Sequence, residues 1–226
     1  MCYNSVFNFR GSSPEVVNRK TATRIRKFQR SLFDWTVRHN PALKLEERAE
    51  CLVRTFEGCL NPASRILDIG GGCGFYAEPL KRRGHQVTVL DVVKPGFQKA
   101  PVVLYDPEKP FPFPDKSFDA SILITMLHHV PKPEVVIREA RRVTRHTLIV
   151  VEDLYHHALG RWWTEWRDRI YNFEFFGHPG QFKKGDEWVK FFSKEGFSLL
   201  EEKEIYTWLA GMRILNGSFI FEVPRP

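Results

Sequence analysis

Cysteine is scarce in this chain: four residues in 226, Cys2, Cys51, Cys59 and Cys73, with no Cys-x-x-Cys pair among them. That excludes a small fold stapled by disulfides and gives no ligand pattern for a structural zinc site. Cys51 and Cys59 fall on one predicted helix and are expected to be packed thiols. Long apolar runs are missing too, since none approaches the ~20 residues of a membrane span. The opening Met-Cys-Tyr-Asn-Ser-Val-Phe-Asn-Phe-Arg lacks the basic start and apolar centre of a secretory signal. These absences predict a cytoplasmic protein. There is no internal repeat and no low-complexity segment.

What remains fits one large domain, or one core with a terminal extension. Hydrophobic residues make up 42% of the chain, ordinary for a globular protein. The formal charge is +7 and the sequence pI near 9.3. Such a balance attracts nucleic acid, anionic lipid or acidic substrates without identifying any of them. A well-solvated basic surface explains it equally.

The first part of the chain reads as helical. Ser13 caps and Pro14 opens a helix that runs to about His39. Val17, Thr21, Ile25, Phe28, Leu32 and Trp35 form its buried stripe. Arg19, Lys20, Arg24, Arg26, Lys27 and Arg30 occupy the other faces, which are expected to face water rather than a nucleic acid. Asn40-Pro41 ends it. A second helix is expected from Leu43 to Leu60.

Next comes the stretch on which the chain turns. Ile66, Leu67 and Ile69 make an apolar run of strand length; Gly70, Gly71, Gly72 and Gly74 break it; a helical pattern follows from Phe75 to Arg83. Strand, glycine turn and helix bring bare backbone and a helix N-terminus up to a ligand. The turn reads in two registers. From Gly72, Gly-x-Gly-x-x-Ala fits a dinucleotide fingerprint; from Asp68, the pattern is Asp-x-Gly-x-Gly-x-Gly. A tight turn with no ligand is the third possibility.

Further strands are expected at Val87–Leu90, 101–106, 118–124 and Thr147–Val151, with a helix opened by Pro131 and Pro133 before the last of them. Alternation of this kind argues a doubly wound, mostly parallel α/β sheet with helices on both faces. Residues 155–192 carry twelve aromatics and predict helices at Gly160–Tyr171 and Asp186–Glu195, split by a break at 177–180. Strands at Ser198–Tyr206 and Ser218–Val223 complete seven.

Asp91 ends the second strand about twenty residues past the turn, where a carboxylate can take both hydroxyls of a ribose. Downstream, Tyr105-Asp106-Pro107, Pro112-Phe-Pro-Asp-Lys-Ser-Phe-Asp119 and Ile124-Thr-Met-Leu-His-His-Val130 occur in order. That succession resembles the class I S-adenosylmethionine-dependent methyltransferases, in particular the small-molecule type 11 family close to the quinone-biosynthesis enzymes, over about Arg65 to Asp153. The resemblance implies a Rossmann-like fold and S-adenosylmethionine as cofactor. By the same resemblance Gly70, Gly72 and Gly74 meet the methionine part and Asp68 arranges its ammonium indirectly. Asp91 holds the ribose, Val92 lies on the adenine and Asp106 accepts from its amine. Backbone at Ile124 and Thr125 meets the amino-acid portion. A dehydrogenase pair at Tyr105 and Lys109 is undercut by Pro107, which breaks the helix needed to align them.

The implied activity is methyl transfer to a small, hydrophobic or aromatic acceptor, mainly by positioning. His129, after the fourth strand, is the candidate base. His128, Asp153, Tyr155, Trp162 and Phe175 are the candidate acceptor contacts. His128, His129, His156 and His157 are not expected to converge as metal ligands, because adjacent histidines on a strand or helix point to different sides. Residues 1–60 are read as a helical cover, 61–226 as the catalytic domain and 155–196 as its acceptor-side insertion. The alternatives are an RNA or protein methyltransferase using the basic first helix, and a silent protein that keeps the cofactor fold. Neither nucleic-acid partners nor membrane contact beyond the periphery is expected, and oligomeric state is left open.

Overall fold

In the computed structural model, residues 31–32, 34–172 and 180–224 are described. Their elements are α1 (Leu45–Arg54), β1 (Arg65–Ile69), α2 (Ala77–Arg82), β2 (Gln86–Asp91), β3 (Val102–Leu104), β4 (Phe118–Ile124), α3 (Pro133–Val143), β5 (Thr144–Asp153), α4 (Ala158–Tyr171), α5 (Gly185–Lys194), β6 (Ser198–Leu209) and β7 (Met212–Glu222). Seven strands form one sheet in the order β3-β2-β1-β4-β5-β7-β6. The first five are parallel, while β7 runs antiparallel to both β5 and β6. The order reverses between β1 and β4, so the crevice beyond their C-terminal ends is the expected ligand position.

The pleat divides each central strand between two cores. Leu123, Leu148 and Val150 face one cluster with Val136 and Ile137 of α3 and Trp188 and Phe192 of α5. Ile122, Ile124, Ile149 and Val151 face the other, with Ala49, Leu52 and Val53 of α1 and Leu80 of α2. Burial on both faces is why these strands read as unbroken apolar runs rather than alternating ones. The expected doubly wound sheet is therefore present.

Several boundaries differ. The helix expected to reach Leu60 stops at Arg54, where the Thr55 hydroxyl donates to the Leu52 carbonyl at 2.7 Å and competes with the helical ladder. A short 3-10 turn, Glu57–Cys59, follows. Cys51 and Cys59 are exposed rather than packed. The fifth strand begins at Thr144, directly after α3. The closing strands are far longer than expected and meet in a tight turn at Ala210 and Gly211, with φ of 47° and 78°. Of the first helix, residues 14–30 lie outside the described residues; 34–39 are helical. The break at 177–180 lies outside them up to 179. Among the described residues no helix is long and apolar enough to cross a membrane.

Candidate active site

The C-terminal end of β1 runs into backbone that only glycine adopts easily. Gly70, Gly72 and Gly74 have φ of 69°, 53° and 80°. Gly71 is required for a different reason: a Cβ there would stand 2.4 Å from the Asp68 carboxylate. The pattern Asp-x-Gly-x-Gly-x-Gly leaves position 71 open, because a contact across the turn leaves no mark on the glycine spacing.

Asp91 is fully buried and holds the loop in shape. Its Oδ2 accepts from the Gly72 N–H at 3.0 Å and its Oδ1 from the Val93 N–H at 3.1 Å. Asp68, 1% exposed, has no hydrogen-bond partner on either carboxylate oxygen among the described residues. Burial, reinforced by the nearby Asp91 charge, pushes its pKa up to about 7. Val92 is half-buried against the first core cluster. Asp106 sits further out, accepting from the Glu108 N–H at 3.0 Å and pairing with Lys109 at 3.4 Å. Ile124 is buried, and Thr125 turns the chain with φ 48° while its N–H donates to the Val151 carbonyl.

A small cavity of about 30 Å³ opens beside the loop, lined by Gly71, Gly72, Cys73, Phe75, Tyr76 and, from α1 and the segment before it, Val37, Leu45 and Arg48. Arg48 is 2% exposed. Its guanidinium donates to the Tyr76 hydroxyl at 3.1 Å, to Thr207 Oγ1 at 3.2 Å and to Asp153 Oδ1 at 3.3 Å. Arg167 of α4 donates to the other oxygen of Asp153 at 2.5 Å, and Asn216 Nδ2 to Oδ1 at 2.6 Å. Two guanidiniums thus share one carboxylate. Asp153 anchors this network. Sequence reading missed Arg48 and Arg167, since a charged residue on an amphipathic helix looks like part of its wet face.

The turn after β4 forms a second polar centre. Glu152 at the end of β5 accepts from the Met126 and Leu127 N–H groups at 3.0 and 2.7 Å. Its Oε2 lies 2.5 Å from His128 Nδ1. Both histidines reach the same side chain: His128 Nε2 is 3.5 Å from Asp168 Oδ1, and His129 Nε2 is 3.7 Å from Asp168 Oδ2. Burial alone would push the His128 pKa down, but the Glu152 and Asp168 charges outweigh it and raise it to about 10. The expectation that neighbouring histidines diverge fails here, because both sit in a 3-10 turn, Leu127–His129, with ring centroids 4.1 Å apart. His156 instead pairs with Glu204 at 3.3 Å, and His157 caps α4 by accepting from the Gly160 N–H. Tyr155 is buried, while Trp162 stands 59% exposed on α4. Phe175 lies outside the described residues.

Residues 67–150 match the family model of a methyltransferase domain, type 11. Those residues are similar to a methyltransferase domain. Over 117 residues the chain is 32% identical to the ubiquinone biosynthesis O-methyltransferase of Alkalilimnicola ehrlichii, covering 47% of this chain and 44% of that protein. A second relative is the chloroplastic 2-methyl-6-phytyl-1,4-hydroquinone methyltransferase 2 of Oryza sativa subsp. japonica. It is 27% identical over 71% of this chain and 48% of its own. The chain therefore spans less than half the length of these curated relatives. Among solved structures, a SAM-dependent methyltransferase of Methanosarcina mazei superposes with a TM-score of 0.56 at 21% identity, over 74% of this chain and 96% of that one. At that identity the likeness supports the fold of the methyltransferase domain. That structure is named as SAM-dependent, in keeping with the register of the glycine turn counted from Asp68.

Proposed function

We propose that this chain transfers a methyl group from S-adenosylmethionine to a small, hydrophobic or aromatic acceptor of the hydroquinone kind. One observation carries the cofactor side: a buried carboxylate without hydrogen bonds among the described residues, Asp68, lies directly beneath Gly71 beside a cavity edged by the Arg48 guanidinium. A group with an ammonium at one position and a carboxylate at another complements both charges, and an amino-acid tail offers both. Asp91, at the end of β2, offers a carboxylate that suits ribose hydroxyls. Gly72 and Gly74 let the ligand come close to backbone. Ile124 and Thr125 border the same end of the sheet, with Val92 and Asp106 on the adenosyl side.

The bound cofactor supplies an electrophilic methyl on a sulfonium. The chain's part is to hold that group and the acceptor in line and to keep water out, which can lower a barrier by ~7–11 kcal/mol in favourable cases. We assign the transfer to positioning rather than to base catalysis by His129. That ring is 1% exposed and directed at Asp168. Residues 1–60 serve as the cover and 155–196 as the acceptor-side insertion in this reading: α1 contributes Arg48 to the cavity wall and α4 contributes Arg167 to the network behind it. The names of the two curated relatives, one in ubiquinone biosynthesis and one acting on a hydroquinone, support an aromatic acceptor.

Calorimetry with S-adenosylhomocysteine tests the core of the proposal. Asp91→Ala should weaken binding by about 1.5–3 kcal/mol, the range for hydrogen bonds to a charged group. Equal affinity in the variant would remove Asp91 from the ribose site, and absence of binding to the wild type would remove the function.

A further inference from the structure

Methyl transfer leaves unused the outward face of α4, a helix whose amphipathicity is inverted. Its buried residues, Thr164, Arg167 and Asp168, are all polar. They meet Asp153 and the turn after β4. Leu159, Trp162, Trp163 and Trp166 fall at i, i+3, i+4 and i+7, the spacing of a single helical stripe. On a surface helix that apolar stripe is normally the buried one. Here its members are 71%, 59%, 40% and 44% exposed.

The rings steady one another: Trp166 stacks on Trp162 with centroids 6.3 Å apart and on Trp163 at 5.3 Å. At these exposures the stripe offers roughly 400–500 Å² of apolar surface. That is the size of patch that carries function on monomeric proteins. It falls short of the ~800 Å² that each partner brings to a stable protein interface, which argues against a second copy of the chain. Indole is apolar in its body and polar at its N–H, and it concentrates where hydrocarbon meets water. A helix with its apolar face outward and its polar face held lies flat in such a boundary; α4, of 14 residues, would span ~21 Å of it. Charge selects the boundary. Arg169 continues the row of Trp162 and Trp166 at i+7, and no acidic residue shares that row. Glu165, to its side, is paired with Arg161 at 2.8 Å. The whole chain carries a formal +7, which complements an anionic surface.

We propose that the outward face of α4 seats this protein on the surface of an anionic phospholipid bilayer. Leu159, Trp162, Trp163 and Trp166 enter the boundary between headgroups and acyl chains, and Arg169 meets the phosphates. The contact is peripheral, since among the described residues no helix is long and apolar enough to cross. This surface goes beyond methyl transfer and does not rest on it.

The test is flotation of the full chain with vesicles of phosphatidylcholine containing about 30 mol% phosphatidylglycerol. The protein should float with these vesicles and less with pure phosphatidylcholine. Added salt should weaken the binding, because it screens the charge attraction. Trp162→Ser combined with Trp166→Ser should cut partition by about 10-fold or more, as loss of inserted apolar area does. Its melting temperature should stay near wild type, because both rings are exposed. Arg169→Gln should cost about fivefold, on the anionic vesicles alone. Should the tryptophan variant not fold, a Trp35→Phe, Trp208→Phe protein decides. Its remaining exposed indoles are those of α4, so brominated lipid must quench its fluorescence. No flotation with anionic vesicles overturns the proposal. So does undiminished flotation of the folded tryptophan variant, or flotation without quenching by brominated lipid. A dimer in light scattering that the tryptophan substitutions abolish, in protein that does not float, would give the face to a second copy instead.

Discussion

At the scale of single residues, the informative groups are those held in an unusual charge state. Asp68 has its pKa pushed up to about 7, first by burial and then by Asp91. The unfolded chain loses that proton near ~3.9. Stability from this group is therefore full below about pH 4 and is lost as pH rises through about 7. Asp68→Asn, neutral throughout, should flatten that decline in melting curves taken without ligand between pH 5 and 8; an unchanged slope would show Asp68 ionised from the start. A ligand ammonium near Asp68 should also drive its proton off. Binding of S-adenosylhomocysteine near pH 7 should then release protons, read as a dependence of the calorimetric enthalpy on buffer ionisation. His129 gives the complementary case. Under positioning, His129→Ala keeps more than about half the wild-type turnover per folded molecule at saturating substrates. A ~100-fold loss partly rescued by higher pH would restore His129 as the base.

At the scale of elements, the closing hairpin separates what sequence discloses from what it hides. The parallel strands were legible because both faces are buried, so Ile122, Leu123 and Ile124 stand in one run. In β6 the stretch Glu201-Glu202-Lys203-Glu204 is mostly exposed, with no apolar alternation to mark its length. Its partner β7 reaches back to Met212, through a turn that lacks the Asn-Gly or Asp-Gly pair of the commonest two-residue hairpins. Ala210 occupies a left-handed position there at φ 47°, a conformation that costs an L-residue roughly 1–2 kcal/mol. Asn tolerates it better, so Ala210→Asn should stabilise the protein by about 0.5–1 kcal/mol in urea titration. A loss of stability would mean that the turn is not held in this form. The same limit applied to the site. Asp68, the glycines and Asp91 lie close in sequence to the strands that place them. Arg48, Arg167 and Asp168 come from helices whose approach only packing fixes.

At the scale of the whole molecule, the fold and the ligand are coupled through the end of the sheet. β1, β2 and β4 converge there, Asp91 is hydrogen-bonded to the glycine loop, and α1 closes the cavity with Arg48. A ligand seated at this junction touches elements packed against both cores, so its binding free energy should appear in the stability of the entire chain rather than of one loop. S-adenosylhomocysteine at 100 times its dissociation constant should raise unfolding stability by about 2.7 kcal/mol, with a matching rise in melting temperature. Nicotinamide adenine dinucleotide has a ribose for Asp91 but no amino-acid tail for Asp68 and Arg48. It should therefore shift melting much less at the same concentration. The adenosine parts are shared, so the contrast reads what the homocysteine tail adds against what the diphosphate and nicotinamide riboside add. Equal shifts from the two ligands would mean that Asp91 alone dominates recognition and that the Asp68–Arg48 pairing contributes nothing. A shift confined to S-adenosylhomocysteine, and lost in Asp91→Ala, requires both ends of the site to act together.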